Sequence, residues 1–452
     1  MESKINRRKF MRVGAVGSLG AAMGGLNLSG CAGGIRRLIS APYMPFAAPP
    51  ADPVRVGYVG VGGMGTAHVK NLLRIEGVEI KAVCDIVSEK VVRSQNMVEE
   101  AGQKRPAGYY RGETDFKRMC NEEDLDLVYT ATPWRWHVPV CVAAMKADKH
   151  AATEVPAAVT MDECWQLVET AEKYRKHCIM MENCCYGRSE LIVLNMVRKG
   201  LFGELLHAEC GYLHDLLEVK FSSEGEGLWR IYHSIQRDGN LYPTHGLGPV
   251  AQYMNINRGD RFDYLVSMSS NSRGLNLYAE EQFGSDDPRA KQKYALGDIN
   301  VSLIRTANGL TITLVHDCSS PRPYDRINLV QGTKGIFRGY PDRIHIEGKS
   351  PGHEWETLDR YMKEYEHPLW EAVGDAARGA GHGGMDYIED YRLIKCLREG
   401  LPTDMDVYDA AAWSVVSELS ERSVANKSRP IDFPDFTRGR WKTTEPLGIV
   451  EA

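Results

Sequence analysis

Short apolar runs alternate with amphipathic segments along the first part of the chain. The runs are almost continuously apolar, as in strands buried on both faces of a parallel sheet, and the segments between them have apolar residues at helical spacing. The predicted strands are VRVGYVG, VEIKAVCDI, LDLVYTAT, HAATEV and CIMMEN, and the predicted helices cover residues 68–77, 88–102, 140–149 and 162–176. This alternation predicts a doubly wound α/β Rossmann domain with a parallel sheet over residues 53–182.

The pattern changes after residue 182. One helix is predicted over VLNMVRKGLFG, and longer runs of alternating apolar and polar residues then predict a mostly antiparallel sheet. These runs are FDYLVSMSS, INVSLIRT, LTITLVHD and INLVQGT, and two late helices are predicted over residues 384–400 and 405–426. We therefore expect a C-terminal, substrate-binding α+β domain over residues 183–437, followed by a surface arm over residues 438–452.

The N-terminus has the pattern of an export signal. Arg7 and Arg8 precede Phe10 and a run of 14 small and apolar residues at 13–26, which is shorter than the about 20 that span a bilayer. Paired arginines before a weakly apolar run resemble a twin-arginine signal, and LSGC resembles a lipobox in which Cys31 is acylated and becomes the mature N-terminus. The alternative is an ordinary helix start with a buried cysteine.

This interpretation places the signal at residues 1–31 and a Pro- and Ala-rich linker at residues 32–52. The protein is then expected to be exported folded and lipid-anchored in a bacterial cell envelope, in the periplasm or at the outer membrane, and to contact the membrane only through the lipid. A homo-oligomer is expected to form through the C-terminal sheet.

Composition changes this picture little. With 452 residues, 43% hydrophobic and 25% charged, the chain is an ordinary globular protein of two to three domains. Its net charge of -5, without basic runs beyond the N-terminus, excludes a nucleic-acid partner.

The 11 cysteines show no CxxC pair and no zinc-finger spacing, so we predict no structural disulfide and no metal. Most of them, including Cys84, Cys141 and Cys164, are expected to be buried thiols. Cys184 and Cys185 are adjacent and are expected on opposite faces of a strand.

A glycine motif follows the first predicted strand. Gly60, Gly62 and Gly65 form G-x-G-x-x-G at the start of a helix, and Asp85 ends the second strand 25 residues after Gly60. Such glycines let the backbone approach a pyrophosphate at a helix N-terminus, and the acid accepts hydrogen bonds from the adenosine ribose. Because Asp85 repels a 2′-phosphate, NAD is favoured over NADP. The alternative is a glycine-rich packing turn.

Further candidates stand at the ends of later strands, where ligands bind in such sheets. The segment 134–137 is WRWH, Glu154 and Val155 precede a proline, and Asn183 and Tyr186 lie in MENCCYG. Tryptophans this close together in a loop are also typical of packing.

TEVP and MENCCYG resemble the sugar oxidoreductases typified by glucose–fructose oxidoreductase and inositol dehydrogenase. Those proteins have a lysine where this chain has Val155, and the lysine assists proton and hydride movement, so ordinary dehydrogenase chemistry is not expected. WRWH, TEV, ENCCYGR, LNMVRKGLFGELLH, LYPTHGLGP, RPY and GHGGMDY together resemble the NAD-dependent glycoside hydrolases of family 109, over about residues 54–437. The first described activity of that family is α-N-acetylgalactosaminidase.

The resemblance implies one tightly bound NAD per chain that is reduced and re-oxidised within each turnover. Hydride leaves C3 of the sugar, the C2 proton becomes acidic, its loss expels the aglycone, and water and hydride then add back. A twin-arginine signal exports folded proteins, so NAD can be loaded before export.

The resemblance also assigns residues. To Gly60 and Gly62 of the glycine motif it adds the cofactor positions Met64, Gly65, Asp85, Trp134, Arg135, Trp136, His137, Glu154, Val155 and Asn183. The sugar contacts are Tyr212, Arg230, Tyr242, Pro243, Thr244, His245 and Tyr324, and the candidate catalytic residues are His245, Tyr242, Tyr186 and His382. Histidine near neutral pH is a suitable base, although His245 could be a structural histidine in its loop and His382 part of a helix cap. Which group takes which proton stays open.

Two other functions stay open. An exported sugar oxidoreductase that passes electrons onward is favoured by the fold and disfavoured by Val155. A lipid-anchored sugar-binding protein with structural NAD is disfavoured because Tyr242, His245, Tyr324 and His382 are all present.

Overall fold

The structure is a computed structural model that describes residues 47–451. The predicted signal at residues 1–31, with Arg7, Arg8 and Cys31, and the linker up to residue 46 lie outside the described residues. Within residues 47–451, no helix combines the length and the apolar character that crossing a bilayer requires.

The first sheet is parallel throughout and has six strands in the order β3-β2-β1-β4-β5-β6. Its strands are β1 (Val54–Val59), β2 (Val78–Cys84), β3 (Ala107–Tyr109), β4 (Leu127–Thr130), β5 (His150–Thr153) and β6 (Cys178–Met180). The apolar side chains of β1 and β4 are buried on both faces of the sheet, as their continuous apolar runs require. The predicted Rossmann sheet is confirmed.

Helices cover this sheet. They are α1 (Gly63–Leu72), α2 (Ser88–Glu100), α3 (Phe116–Glu122), α4 (His137–Lys146) and α5 (Met161–Tyr174). Helix α1 begins five residues before the predicted segment, inside the glycine motif itself. Strand β3 and helix α3 were not predicted, because each is short and has little periodicity.

The second sheet has nine strands in the order β14-β13-β12-β11-β7-β10-β9-β8-β15, and only the β7–β10 pair is parallel. The strands are β7 (Leu205–Leu213), β8 (Phe262–Ser269), β9 (Ile299–Thr306), β10 (Thr311–Asp317), β11 (Leu329–Gly332), β12 (Gly335–Arg338), β13 (Arg343–Ile346), β14 (Glu356–Thr357) and β15 (Ile431–Asp432). The predicted mostly antiparallel sheet is confirmed.

Part of one face of this sheet is exposed on β8 and β9, toward one end of the strand order. Met268, Ile299, Val301 and Leu303 alternate with buried residues on β8 and β9 and are exposed. This surface is where a homo-oligomer would form, which stays a prediction.

The remaining helices lie around the second sheet and between the two sheets. They are α6 (Arg188–Arg198), α7 (Leu217–Phe221), α8 (Gly227–Gln236), α9 (Thr244–Tyr253), α10 (Gly274–Phe283), α11 (Pro288–Lys291), α12 (Asp359–Tyr365), α13 (Pro368–Val373), α14 (Met385–Glu399), α15 (Val407–Ser414) and α16 (Val416–Ala425). Helix α14 packs on α1 and α15 packs on α5, so late residues reach the Rossmann half.

Two predictions about the residues after 182 need correction. The helix expected over residues 405–426 is two consecutive helices that meet at Val415. Cys184 and Cys185 are not on a strand: they lie in the 3₁₀ turn Asn183–Tyr186, because β6 ends at Met180. Both are buried, as are the other eight described cysteines, and all ten are free thiols in the described chain.

The C-terminal segment lies along the surface and is tied to both halves. Arg438 and Arg440 donate hydrogen bonds to the buried carboxylate of Glu172 on α5. Arg198 and Arg392 donate to backbone carbonyls farther along the segment.

Candidate active site

The glycine motif forms a tight turn between β1 and α1. Gly60 has a φ of 83°, and a Cβ on Gly65 would lie 1.9 Å from the Gly60 carbonyl oxygen. A Cβ on Gly62 or Gly63 would meet no heavy atom within 4 Å. The turn therefore has no room for a side chain at Gly65 but is open at Gly62 and Gly63. The open side is at the N-terminus of α1, where amide groups favour an anion.

Asp85 lies beside this turn. Its carboxylate accepts hydrogen bonds of 3.0 Å from the backbone N–H groups of Val61 and Val87. Met64 is half-buried in the first turn of α1. An open glycine turn with an acid at the end of the next strand fits the pyrophosphate and adenosine ribose of NAD.

His137 joins two loops at the carboxyl edge of the Rossmann sheet. Its ring nitrogens lie 2.8 Å from the carbonyl oxygen of Pro156 and 2.7 Å from that of Thr132. Burial lowers the pKa of His137. This histidine therefore holds the backbone after β4 and β5, including the buried Val155, in place.

The residues before His137 have different surroundings. Trp134 is buried and stacks on Tyr242 with ring centroids 5.6 Å apart, whereas Trp136 packs edge-on against Phe116. The Arg135 side chain is 68% exposed and pairs with an exposed glutamate. The structure thus brings Trp134 into the site and leaves Arg135 at the surface.

The predicted sugar contacts come together next to Trp134. The rings of Tyr212 and Tyr242 are 4.5 Å apart, and the guanidinium of Arg230 lies 5.1 Å from the ring centroid of Tyr242. Tyr324 lies at one side of this group, with its ring centroid 6.2 Å from that of Tyr212. It is 38% exposed. Burial raises the pKa of Tyr242 well above its ordinary value, so its hydroxyl stays protonated and can donate a hydrogen bond.

His245 faces these aromatic rings and is oriented by a buried carboxylate. Its ring lies 4.9 Å from that of Tyr242, and its Nδ1 is 2.7 Å from Oε1 of Glu182. Burial raises the pKa of Glu182, but the charge of and hydrogen bond to His245 outweigh it, and the pKa is lowered. With Nδ1 engaged, Nε2 is the nitrogen that can exchange a proton with a substrate.

The local structure around His245 differs from the predicted loop. Pro243 precedes α9 and Thr244 begins it, so His245 stands in the first helical turn. Pro243 and Thr244 are themselves buried.

His382 forms a second histidine–carboxylate pair. It lies with φ 49° in the 3₁₀ turn Gly381–Gly384, and its Nδ1 is 2.9 Å from Oδ2 of Asp386 on α14. The hydrogen bond to Asp386 raises the pKa of His382 despite partial burial. Asn183 donates to the same carboxylate at 2.6 Å. The neighbours Glu182 and Asn183 therefore support the two histidines.

The structure does not bring Tyr186 to this group. Its buried hydroxyl donates a 3.0 Å hydrogen bond to Asp404, which also pairs with Arg392 of α14. A 3₁₀ turn, in place of an extended strand end, directs Tyr186 away from His245.

Glu182, Cys184 and His245 lie close enough to share a metal ion. Such an ion would have to replace the short hydrogen bond between Glu182 and His245. It would also stand beside the guanidinium of Arg326, which lies 2.8 Å from the Cys184 sulfur. The donor set therefore fits a hydrogen-bonded pair better than a cation site.

Sequence reasoning missed the buried acids around the site. Glu154, which it did assign, contacts His68 of α1, and His68 contacts Asp390 of α14. The available signal was the spacing of Asp386, Glu389 and Asp390, which places three acids on one face of a helix. For Glu182 the signal was an acid directly after an apolar strand.

Family models match both halves of the chain. Residues 54–182 match the oxidoreductase family with an NAD-binding Rossmann fold, and residues 186–443 match the glycosyl hydrolase 109 C-terminal domain. The first half is therefore an NAD-binding Rossmann domain.

Two relatives are similar over their whole length. The chain is 51% identical over 447 residues to a glycosyl hydrolase family 109 protein of Solibacter usitatus, with 98% of this chain and 100% of the relative covered. It is 47% identical over 456 residues to an alpha-N-acetylgalactosaminidase of Shewanella oneidensis, with 99% of each covered.

Among solved structures, a levoglucosan dehydrogenase in complex with NADH is similar with a TM-score of 0.66 and 19% identity. The match covers 84% of this chain and 99% of that protein. A scyllo-inositol dehydrogenase from Lactobacillus casei, with bound NAD(H) and scyllo-inositol, has a TM-score of 0.60 at 12% identity, over 84% and 98% of the two chains. These likenesses show the fold.

Proposed function

The chain belongs to glycosyl hydrolase family 109, and we propose that it cleaves α-N-acetylgalactosaminides or related glycosides with an NAD that it regenerates in each turnover. The full-length similarity to the Shewanella oneidensis enzyme supports the substrate class. The observation that carries the proposal is the pair of Glu182 and His245, which faces the Tyr212–Tyr242 aromatic group at the edge of the Rossmann domain.

Residues along the carboxyl edge of the Rossmann sheet would hold the cofactor. The glycine turn and Asp85 fit its adenosine half, and Trp134, His137, Glu154 and Asn183 line the loops beyond β4, β5 and β6. When bound, NAD supplies a temporary oxidation at C3 of the sugar, which makes the C2 proton acidic.

The protein's own groups then bind the sugar and move protons. The Tyr212 and Tyr242 rings and the Arg230 guanidinium form a platform for the sugar ring. Nε2 of His245 takes a proton from the sugar, and the buried Glu182 stabilises the resulting imidazolium. His382, half-exposed and paired with Asp386, is a second group that can hold or return a proton.

The direct test is hydrolysis by purified protein without added cofactor. We expect steady release of aglycone from an aryl α-glycoside of N-acetylgalactosamine, because the cofactor is not consumed. The matching β-glycoside and related sugars define the specificity. Accumulation of NADH with free sugar, and no aglycone release, would instead support a sugar oxidoreductase.

We also propose that the protein is exported folded and anchored by a lipid on Cys31. Arg7, Arg8 and the LSGC segment support this proposal, as does a cofactor that has to be loaded before export. Changing Arg7 and Arg8 together to lysine is expected to leave unprocessed precursor in the cytoplasm, measured by fractionation. Unchanged export of the double variant would contradict the proposal.

A further inference from the structure

A histidine of α1 is buried between two carboxylates from different halves of the chain. His68 Nε2 lies 2.7 Å from Oε1 of Glu154, which follows β5, and Nδ1 lies 2.8 Å from Oδ2 of Asp390 on α14. His68 and Asp390 are almost completely buried, whereas 16% of the Glu154 side chain is exposed. The three groups therefore form an array, which we term the Asp390–His68–Glu154 array, from the interior to the carboxyl edge of the Rossmann sheet.

The inner end of the array is held in place. Asn71, one helical turn after His68, donates a 3.1 Å hydrogen bond to Asp390. The Tyr129 hydroxyl lies 3.1 Å from His68 Nδ1. Asp390 thus has partners on α1, which is the helix that begins at the glycine turn.

The protonation of His68 follows from its neighbours. A neutral imidazole has one N–H and can donate to one carboxylate, whereas the imidazolium donates from both nitrogens. Burial lowers the pKa of His68, but the charges of and hydrogen bonds to Asp390 and Glu154 outweigh it and raise the pKa well above its ordinary value. The two carboxylates on either side of the ring therefore favour the imidazolium form of His68.

At the outer end of the array, one carboxylate oxygen of Glu154 can accept a further hydrogen bond. Oε1 of Glu154 is taken by His68, and Oε2 accepts a long bond of 3.3 Å from the backbone of Val155. Glu154 is close enough to Tyr242 and His382 for its charge to affect both groups. In the sheet order, β1 and β4 separate β5, which Glu154 follows, from β2, which Asp85 follows, so the position of Glu154 corresponds to the nicotinamide half of a dinucleotide bound across the edge.

We propose that His68, anchored by Asp390, is a positioning residue that holds the Glu154 carboxylate in one orientation, so that its second oxygen, Oε2, accepts a hydrogen bond from a ribose hydroxyl in the nicotinamide half of NAD. The inference rests on the proposed function, since it takes NAD as the ligand. Retention of NAD then depends on the contact between α1 and α14, because that contact brings Asp390 to His68.

The test measures NAD affinity by equilibrium dialysis for wild type, His68→Gln, Glu154→Gln and the double variant. A hydrogen bond to a charged group corresponds to roughly 10- to 100-fold in affinity, and we expect each single variant to weaken NAD binding by about this factor. Because His68 acts through Glu154, the double variant should bind NAD no more weakly than Glu154→Gln alone.

Two further variants separate positioning from general stability. Asp390→Asn should weaken NAD binding in the same way as His68→Gln, and it keeps the test open if His68→Gln does not fold. The control is Asp409→Asn, since Asp409 of α15 forms a comparably buried ion pair with Arg258. This variant should lower the melting temperature, while its NAD affinity stays at the wild-type value.

Wild-type NAD affinity in folded His68→Gln and Asp390→Asn, or losses that add in the double variant, would overturn the positioning role alone. A wild-type protein that neither contains nor binds NAD would overturn the proposed function together with this inference.

Discussion

Replacing His245 by glutamine is expected to lower kcat by about 10²–10⁴-fold, the range for loss of a general acid or base, while NAD stays bound. Glutamine keeps a polar side chain next to Glu182 but cannot exchange a proton near neutral pH. The measurement combines steady-state hydrolysis of an aryl glycoside with the NAD content of the denatured protein.

A matched control is His207→Gln. His207 lies near the start of β7, the strand that carries Tyr212 near its other end, and contacts Thr311. We expect this variant to keep wild-type kcat. A His245→Gln enzyme with wild-type kcat would show that His245 is a structural histidine.

Replacing Gly65 by alanine is expected to weaken NAD binding and to lower hydrolysis in the absence of added NAD. The added Cβ would lie 1.9 Å from the Gly60 carbonyl oxygen, so the turn between β1 and α1 has to move. Local backbone strain of about 1–3 kcal/mol corresponds to roughly 5- to 150-fold in affinity. NAD content of the purified variant and its affinity for added NAD measure the effect.

Gly448→Ala is the control for this change, because a Cβ at Gly448 would meet no heavy atom within 4 Å. It should keep one NAD per chain. If folded Gly65→Ala bound NAD with wild-type affinity, the assignment of the glycine turn to the cofactor would be wrong.

Periodicity predicted the elements that are long or deeply buried. The parallel strands of the Rossmann half have continuous apolar runs, and β9 alternates strictly over its eight residues, so both sheets were predictable. The three-residue β3 and the seven-residue α3 are too short to show a period. Their positions depend on neighbours that are distant in sequence.

The site was predictable where residues stand at strand ends or in specific motifs. Tyr212, Tyr242, His245 and Tyr324 do come together, and the glycine turn has the expected form. Tyr186 was assigned from its place in the strand-end motif MENCCYG, but its hydroxyl bonds to Asp404.

The supporting acids could not be paired from the sequence. His68 and Asp390 are 322 residues apart and meet only because α14 packs on α1. Glu182 and His245 are 63 residues apart and meet because α9 begins beside the turn after β6. In both cases the tertiary packing of two helices or turns, and not a local pattern, gives the histidine its orientation.

The measurement that tests the central claim most directly is hydrolysis in heavy water, followed by mass spectrometry and NMR of the released sugar. If C2 loses its proton during turnover, the product carries deuterium at C2, because the proton taken by the protein exchanges with solvent before it is returned. A displacement at C1 assisted by two carboxylates leaves the C2–H bond intact. Deuterium at C2 is the predicted result, and a product with only protium at C2 would contradict the account.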